Sequence, residues 1–498
     1  MSLHAAEFKL ANIFSDHAVL QRAAPVPVWG WADAGVEVTV EFAGQKKRAV
    51  ADANGKWMVK LDPLKASAKP GTLTVTATKD THKIVLKDIL VGEVWLGSGQ
   101  SNMGMAVKSA NDFEKERTAA NVPGVRMFRE ESDPSSTAQA DSKGNWTVCA
   151  PETVGSFSAT LFFFGREIHK SLGVPVGLVN SSHGGTPIER WIALETQRST
   201  PALASFFKSL DQPVTNAPVA ADDYDEALAR WKEAASKARA ENQPIPSKPR
   251  KRSVANAINY LPGDFFNGKI APLIPYGIRG AIWYQGEANA IGKGAGVRYY
   301  QHQLPLLVKD WRARWGYDFP FAWAQLPNFA AEGANRPAGN RPAIREAMLK
   351  SLVLPKTGMG INIDIGEANN LHPGNKQEVG RRLSLWALGT VYGQKVVATS
   401  GPLPAGHEIR GGEVVLSFSH TDGGLATKEA DVQGVVIAGK DKQWRPAQGR
   451  IAGDKVIVTS PEVPEPVAVR YAWENCPVCK LYNGAGLPAS PFRTDDWE

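Results

Sequence analysis

Cysteine is scarce, with three in 498 residues. Three thiols cannot form a disulfide framework. Cys476 and Cys479 form a lone C-x-x-C with no second pair and no nearby histidine. That excludes a zinc knuckle and leaves a local disulfide or two quiet thiols, with Cys149 the odd one. Long apolar runs are missing as well: no window reaches the roughly 18 apolar residues of a membrane span. The N-terminal stretch Met1-Ser-Leu-His-Ala-Ala-Glu-Phe8 carries no apolar signal core. Glycine and proline follow no period, which excludes collagen. No phosphate-cradling loop, metal constellation or aromatic-basic nucleic-acid pattern occurs. Neither charge sign dominates: 57 basic against 50 acidic residues gives +7, a mild excess over this length. The one dense basic run, Lys248-Pro-Arg-Lys-Arg252, sits in a polar, proline-containing stretch and reads as a solvated loop, with a polyanion-binding patch as the alternative. The expectation is a globular chain of roughly three domains, with no cofactor, no metal, no nucleic-acid partner and no membrane span.

The order of hydrophobic patterns divides the chain. Val36, Val38, Val40 and Phe42 alternate with Glu37, Thr39 and Glu41, as in a half-buried strand. Asn54-Gly55 between two extended runs suggests a tight hairpin. Residues 8–88 read as an N-terminal β-domain. Near residue 89 the pattern becomes strands alternating with helices, the mark of a parallel α/β sheet. Ile89 to Leu96 is an apolar strand ending in Gly97-Ser-Gly-Gln-Ser-Asn-Met103, and Ser158 caps a helix to about Leu172. Strands at Val176–Asn180, Ile278–Tyr284, Phe321–Leu326 and Met359–Asp364 follow, with helices at 297–314 and about 375–391. Residues 89–397 form this unit. It is interrupted at about 200–260 by an insertion holding a charged helix, Tyr224 to Arg239, that suits either a lid or cleft wall or a mere surface excursion. Residues 398–498 are β again.

In open α/β sheets, ligands bind beyond the carboxyl ends of the strands. Four polar clusters fall there: Gly99-Gln-Ser-Asn102, Ser182-His-Gly-Gly185, Gln285-Gly-Glu287, and Asp364 to His372. A serine after a strand, flanked by glycine and opening a helix, can project its hydroxyl where backbone N–H groups favour an oxyanion. Ser101 is in that position. A serine nucleophile needs a base, for which imidazole is suited. His372 lies in a loop just before a helix, and His183 is the competing candidate.

Four blocks in this order carry a resemblance: Val94-Trp-Leu-Gly-Ser-Gly-Gln-Ser-Asn-Met103, Val176-Gly-Leu-Val-Asn-Ser-Ser-His-Gly-Gly-Thr-Pro-Ile-Glu-Arg-Trp191, Trp283-Tyr-Gln-Gly-Glu-Ala-Asn289 and Leu371-His-Pro-Gly-Asn-Lys376. Gly380-Arg-Arg-Leu383 follows the last block, and Gly486 to Thr494 is also similar. The chain resembles the sialate O-acetylesterase family of the SGNH hydrolase superfamily over its whole length. The resemblance implies a flavodoxin-like, three-layer α/β/α SGNH domain with a parallel sheet, flanked by N- and C-terminal β-sandwich-like domains. It implies a serine carbohydrate esterase that removes O-acetyl groups from sialic acid or related glycans through an acyl-enzyme. The alternatives are an acetylxylan esterase and a non-catalytic glycan-binding protein on a hydrolase fold. Periplasmic or extracellular location is expected, with a signal already removed ahead of Met1-Ser-Leu3.

Carried onto these positions, the resemblance makes Ser101 the nucleophile and His372 its base. The oxyanion hole comes from the Ser101 amide, a glycine amide at Gly184 or Gly185, and the Gln285 side chain. The superfamily commonly has an aspartate three residues before the histidine, whereas this chain has Asn369. Glu367 or Asp364 folds back to orient the imidazole, a backbone carbonyl does so, or the enzyme is impaired. Asp364 also suits a structural role, pinning the strand end. Glu287 is expected to buttress the site. Asn267, Trp283, Tyr284 and Trp191 are candidates to line the sugar pocket. Arg345 is a candidate for a substrate carboxylate, against the alternative of an ion pair.

Overall fold

The computed structural model describes residues 7–78, 83–211, 261–293, 295–330 and 339–497, with a few positions between 228 and 241. The basic run at 248–252 and half of the positions of the 224–239 helix lie outside the described residues.

The architecture is a mixed α/β fold built around one long strand, Lys83–Gly99. Its first half alternates between exposed and half-buried positions, and from Ile89 onward it is buried throughout. The change follows from its neighbours. Residues 83–91 pair antiparallel with Ser67–Ala77 in the N-terminal β-region. Residues 93–99 run parallel between Val176–Ser182 on one side and Gly280–Tyr284 on the other. A strand buried on both faces needs a continuous apolar run, which Ile89 to Leu96 supplies. The boundary expected between residues 88 and 89 therefore falls inside a single strand shared by both regions.

Across the sheet the order is 144–148, 125–130, 176–182, 83–99, 280–284, 321–324 and 357–360. All neighbours are parallel except the antiparallel edge pair of Gly144–Val148 with Val125–Glu130. Because 176–182 and 280–284 lie on opposite sides of the central strand, the chain reverses direction across the sheet there. That is a topological switch point, and its crevice opens at the carboxyl end next to Gly99.

Small residues set how closely the helices approach. In the helix Ala159–Leu172, Ser158 caps the first turn by accepting from the Leu161 amide. Phe162, Phe163 and Phe164 of this helix are buried. A Cβ at Gly380, in the helix Lys376–Trp386, would stand 2.6 Å from both the Phe163 Cβ and the Phe164 amide nitrogen. The two helices thus meet backbone to backbone, and the loop before the second one is held against the sheet. Gly380→Ala is expected to lower unfolding free energy by about 1–3 kcal/mol, measured by denaturant titration.

Asn54-Gly55 is not a hairpin turn. The strand before it, Gln45–Val50, pairs with Glu37–Phe42, and the strand after it, Lys56–Leu61, pairs with Val26–Trp31. The turn is a corner between two sheets, with Asp52 accepting from the Asn54 and Lys56 amides. The local turn chemistry is the same in both cases, and only long-range pairing distinguishes them. The C-terminal strands form two four-stranded sheets and one two-stranded sheet. Cys149, Cys476 and Cys479 are free thiols; Cys479 is buried 2.9 Å from the Tyr471 hydroxyl.

Candidate active site

The central strand ends at Gly99, whose φ of +134° and closeness to Tyr284 leave no room for a side chain: a Cβ would lie 2.2 Å from the Tyr284 carbonyl oxygen. The Gln100 amide donates to that carbonyl. The chain then turns sharply into the short helix Ser101–Gly104, leaving Ser101 at its first position, at the mouth of the crevice.

The last parallel strand, Thr357–Gly360, is followed by a long loop to the helix Lys376–Trp386. His372 lies on this loop, and its Nε2 is 2.7 Å from Ser101 Oγ across 271 residues of sequence. The loop is braced from within. Glu367 accepts from the Gly374 amide through Oε1 and from the Asn370 side chain through Oε2, and Asn370 Oδ1 accepts from the His372 amide. Asp364 is engaged elsewhere: its two oxygens accept from the Arg382 guanidinium at 2.6 and 3.0 Å. The fork pins the strand end to the helix.

A cleft of about 760 Å³ opens over the pair, lined by Ser101, His372, His183, Gly184, Asn180 and Lys269 among others. Gly184 faces Ser101 closely; a Cβ there would lie 3.5 Å from the serine Cβ. Gly185, at φ +73°, turns the chain away toward Lys293. His183 is exposed at the cleft surface, with its ring packed 4.7 Å from that of Phe265, and Phe265 stacks on Trp191. Desolvation, with Lys269 and Arg190 nearby, holds the His183 imidazole below its ordinary pKa. Its ring lines the cleft, but it is His372 that bonds Ser101.

Several expected site residues lie elsewhere. Gln285 is fully buried, and its amide nitrogen donates to Thr186 O and Asn289 Oδ1. Both N–H groups are committed, so none is left for an oxyanion. Trp283 is core, edge-on to Trp191 and Trp311. Tyr284 is buried beneath the site. Trp191 is buried too and donates to Thr186. Asn267 lines a neighbouring cavity of about 720 Å³ and donates to the Ser135 carbonyl. Arg345 meets neither substrate space nor an acid: its buried guanidinium donates to the carbonyls of Leu326, Pro327, Glu474 and Asn475. Burial without a carboxylate pushes it down to about 9. Four carbonyl acceptors from two distant segments leave no signature in sequence.

The sequence reading missed the cleft wall. Lys269 is buried and donates to Glu130 Oε2 at 2.5 Å, to the Glu130 carbonyl and to the Ser132 carbonyl. Burial raises the Glu130 carboxyl, with Lys269 opposing. A polar pair 139 residues apart could have been suspected only from charged residues beside apolar runs.

The comparisons bear on this geometry. A model of the family described as carbohydrate esterase, sialic acid-specific acetylesterase, matches residues 91–241. The mouse sialate O-acetylesterase is 28% identical over 97% of this chain and 94% of its own length. The human sialate O-acetylesterase is 27% identical over 97% and 92%. A crystal structure of a carbohydrate acetylesterase from Xanthomonas citri is 35% identical, covering 98% of this chain and all of its own, with a TM-score of 0.80. The chain is thus a carbohydrate esterase, a carboxylic ester hydrolase that removes O-acetyl groups. It belongs to the family of sialic acid-specific acetylesterases. Among the described residues no helix is long and apolar enough to cross a membrane.

Proposed function

We propose that this chain hydrolyses O-acetyl esters of sialic acid through an acetyl-serine intermediate at Ser101. The observation that carries the reading is the 2.7 Å approach of His372 Nε2 to Ser101 Oγ inside the cleft. Ser101 Oγ attacks the acetyl carbonyl carbon while His372 takes the hydroxyl proton. The amides of Ser101 and Gly184 face the developing oxyanion; among the described residues neither donates to another group. The C–O bond to the sugar then breaks, and His372 returns the proton to the departing sugar oxygen. Water attacks the acetyl-serine by the reverse sequence, releasing acetate. Glu367 holds the imidazole in place by bracing its loop on both sides. At the cleft rim, Lys108 and Arg129 offer cationic ligands for a substrate carboxylate.

Apart from Val125–Glu130, which adds a sixth parallel strand outside 176–182, the parallel strands 83–99, 176–182, 280–284, 321–324 and 357–360 have the spatial order 2-1-3-4-5. That order supports an SGNH-type three-layer unit over 89–397, between β-sandwich-like regions at 8–88 and 398–498. The reading includes a periplasmic or extracellular location. The test is acetate release from 9-O-acetylated sialic acid and from acetylxylan. Release from the first is the expected result. Release from xylan alone transfers the activity to plant polysaccharide, and release from neither, with no fluorophosphonate adduct on Ser101, leaves a binding protein.

A further inference from the structure

Two loops that are 271 residues apart meet at Ser101 and His372, and something must hold them in register. The helix after His372 begins, unexpectedly, with a lysine. A cation in the first turn opposes the helix dipole, and Lys376 is also fully buried. Its ammonium donates to Asn102 Oδ1 at 2.9 Å and to the Pro373 carbonyl at 2.7 Å. Asn102 is fully buried, and its Nδ2 donates to Glu287 Oε1 at 2.5 Å and to the Leu371 carbonyl at 3.1 Å. Asn102 therefore sits between an ammonium and a carboxylate. It follows Ser101 directly, while Leu371 and Pro373 flank His372.

We propose that Lys376, Asn102 and Glu287 form a buried strap that fixes the His372 loop against the Ser101 turn, with Lys376 as a positioning residue whose charge is required. This deepens the serine-esterase reading and rests on it. The local violation of helix-start chemistry has a reason if the lysine serves the site. Charge-assisted bonds are roughly twice as strong as neutral ones, so loss of the proton weakens both links and removes one of the cations that balance Glu287. The groups facing the ammonium are Glu287 from the strand-end helix, Glu367 from the loop, and the Tyr284 ring at 5.6 Å. Arg341 faces Glu287 from the adjoining helix. Burial pushes Lys376 down to about 8, with Glu287 and Glu367 opposing.

The test reads kcat for acetate release and the rate of fluorophosphonate labelling of Ser101 against pH, in folded protein verified by circular dichroism. In the unmodified protein both rates are expected to fall as pH rises through about 8. Lys376→Met and Glu287→Gln are each expected to lower kcat by about 10- to 100-fold with KM little changed, as for a displacement of about 1 Å. Lys376→Met/Glu287→Gln, which removes the strap's ammonium and carboxylate together, is expected to recover part of that loss and to lack the alkaline fall. Additive losses in the double variant, or an alkaline fall that survives in it, overturn the strap. Should Lys376→Met not fold, the double variant and the unmodified protein's labelling profile decide. An unmodified protein whose Ser101 takes no label overturns the esterase mechanism instead.

Discussion

Ser101→Ala is expected to lower kcat for acetate release by about 10⁴- to 10⁶-fold while binding of the sugar persists, because the nucleophile and its base act as a unit. His372→Ala should cost a comparable factor, and the double variant little more, since each single change already removes the pair. The geometry also separates the two histidines. His372 is 2.7 Å from the hydroxyl, whereas the His183 ring packs at a tilt against Phe265. His183→Ala should therefore cost far less than His372→Ala. The measurement is steady-state acetate release with mass-spectrometric detection of a Ser101 adduct. Ser101→Ala with most of its activity intact would falsify the acetyl-serine route.

The largest expected stability effect is at the cleft wall. Lys269→Met removes the cation from Glu130 and leaves a buried carboxylate whose partner is gone. Breaking a buried pair on one side costs about 3–5 kcal/mol. Lys269→Met/Glu130→Gln should cost less, because it leaves no charge to desolvate. The pH dependence follows from the direction of the Glu130 shift. Burial already raises this carboxyl in the folded state, and Lys269 is what opposes it. Without Lys269 the folded state binds the proton more tightly than the unfolded chain does. Stability of the variant is then greatest below the unfolded carboxylate range and falls as pH rises through and above it. Urea unfolding at several pH values checks both points; a single variant as stable as the double one rejects the argument.

Much of the element order was legible in advance. The Ser158 cap, the strand Val176–Ser182 and the helix ending at Trp315 follow from local chemistry and periodicity. Element ends were less so. The strand expected at 359–364 spans Thr357–Gly360, because the paired edge of Phe321–Ala324 stops there. The helix expected to run to 391 ends as an α-helix at Trp386 and closes with a π turn.

The site divides along the same line. Ser101 and His372 stood out because each lies in a polar cluster at a strand end, a position defined by short-range pattern. Gln285, Trp283 and Tyr284 share such a cluster, yet the structure buries them. Strand-end position does not say which way a side chain faces. Arg345, weighed between a substrate carboxylate and an ion pair, holds carbonyls, and Asp364, weighed between orienting the imidazole and pinning its strand end, holds a guanidinium.

Sequence alone thus determined the alternation of strands and helices, the turn at Gly99 and the two groups that chemistry would need, because these depend on residues a few positions apart. Tertiary structure alone decided which acid braces which loop, which aromatic rings are core, and that Lys376, Asn102 and Glu287 meet. Those outcomes depend on desolvation and on partners a hundred or more residues away, and the cost of burying a charge is set only once its surroundings exist.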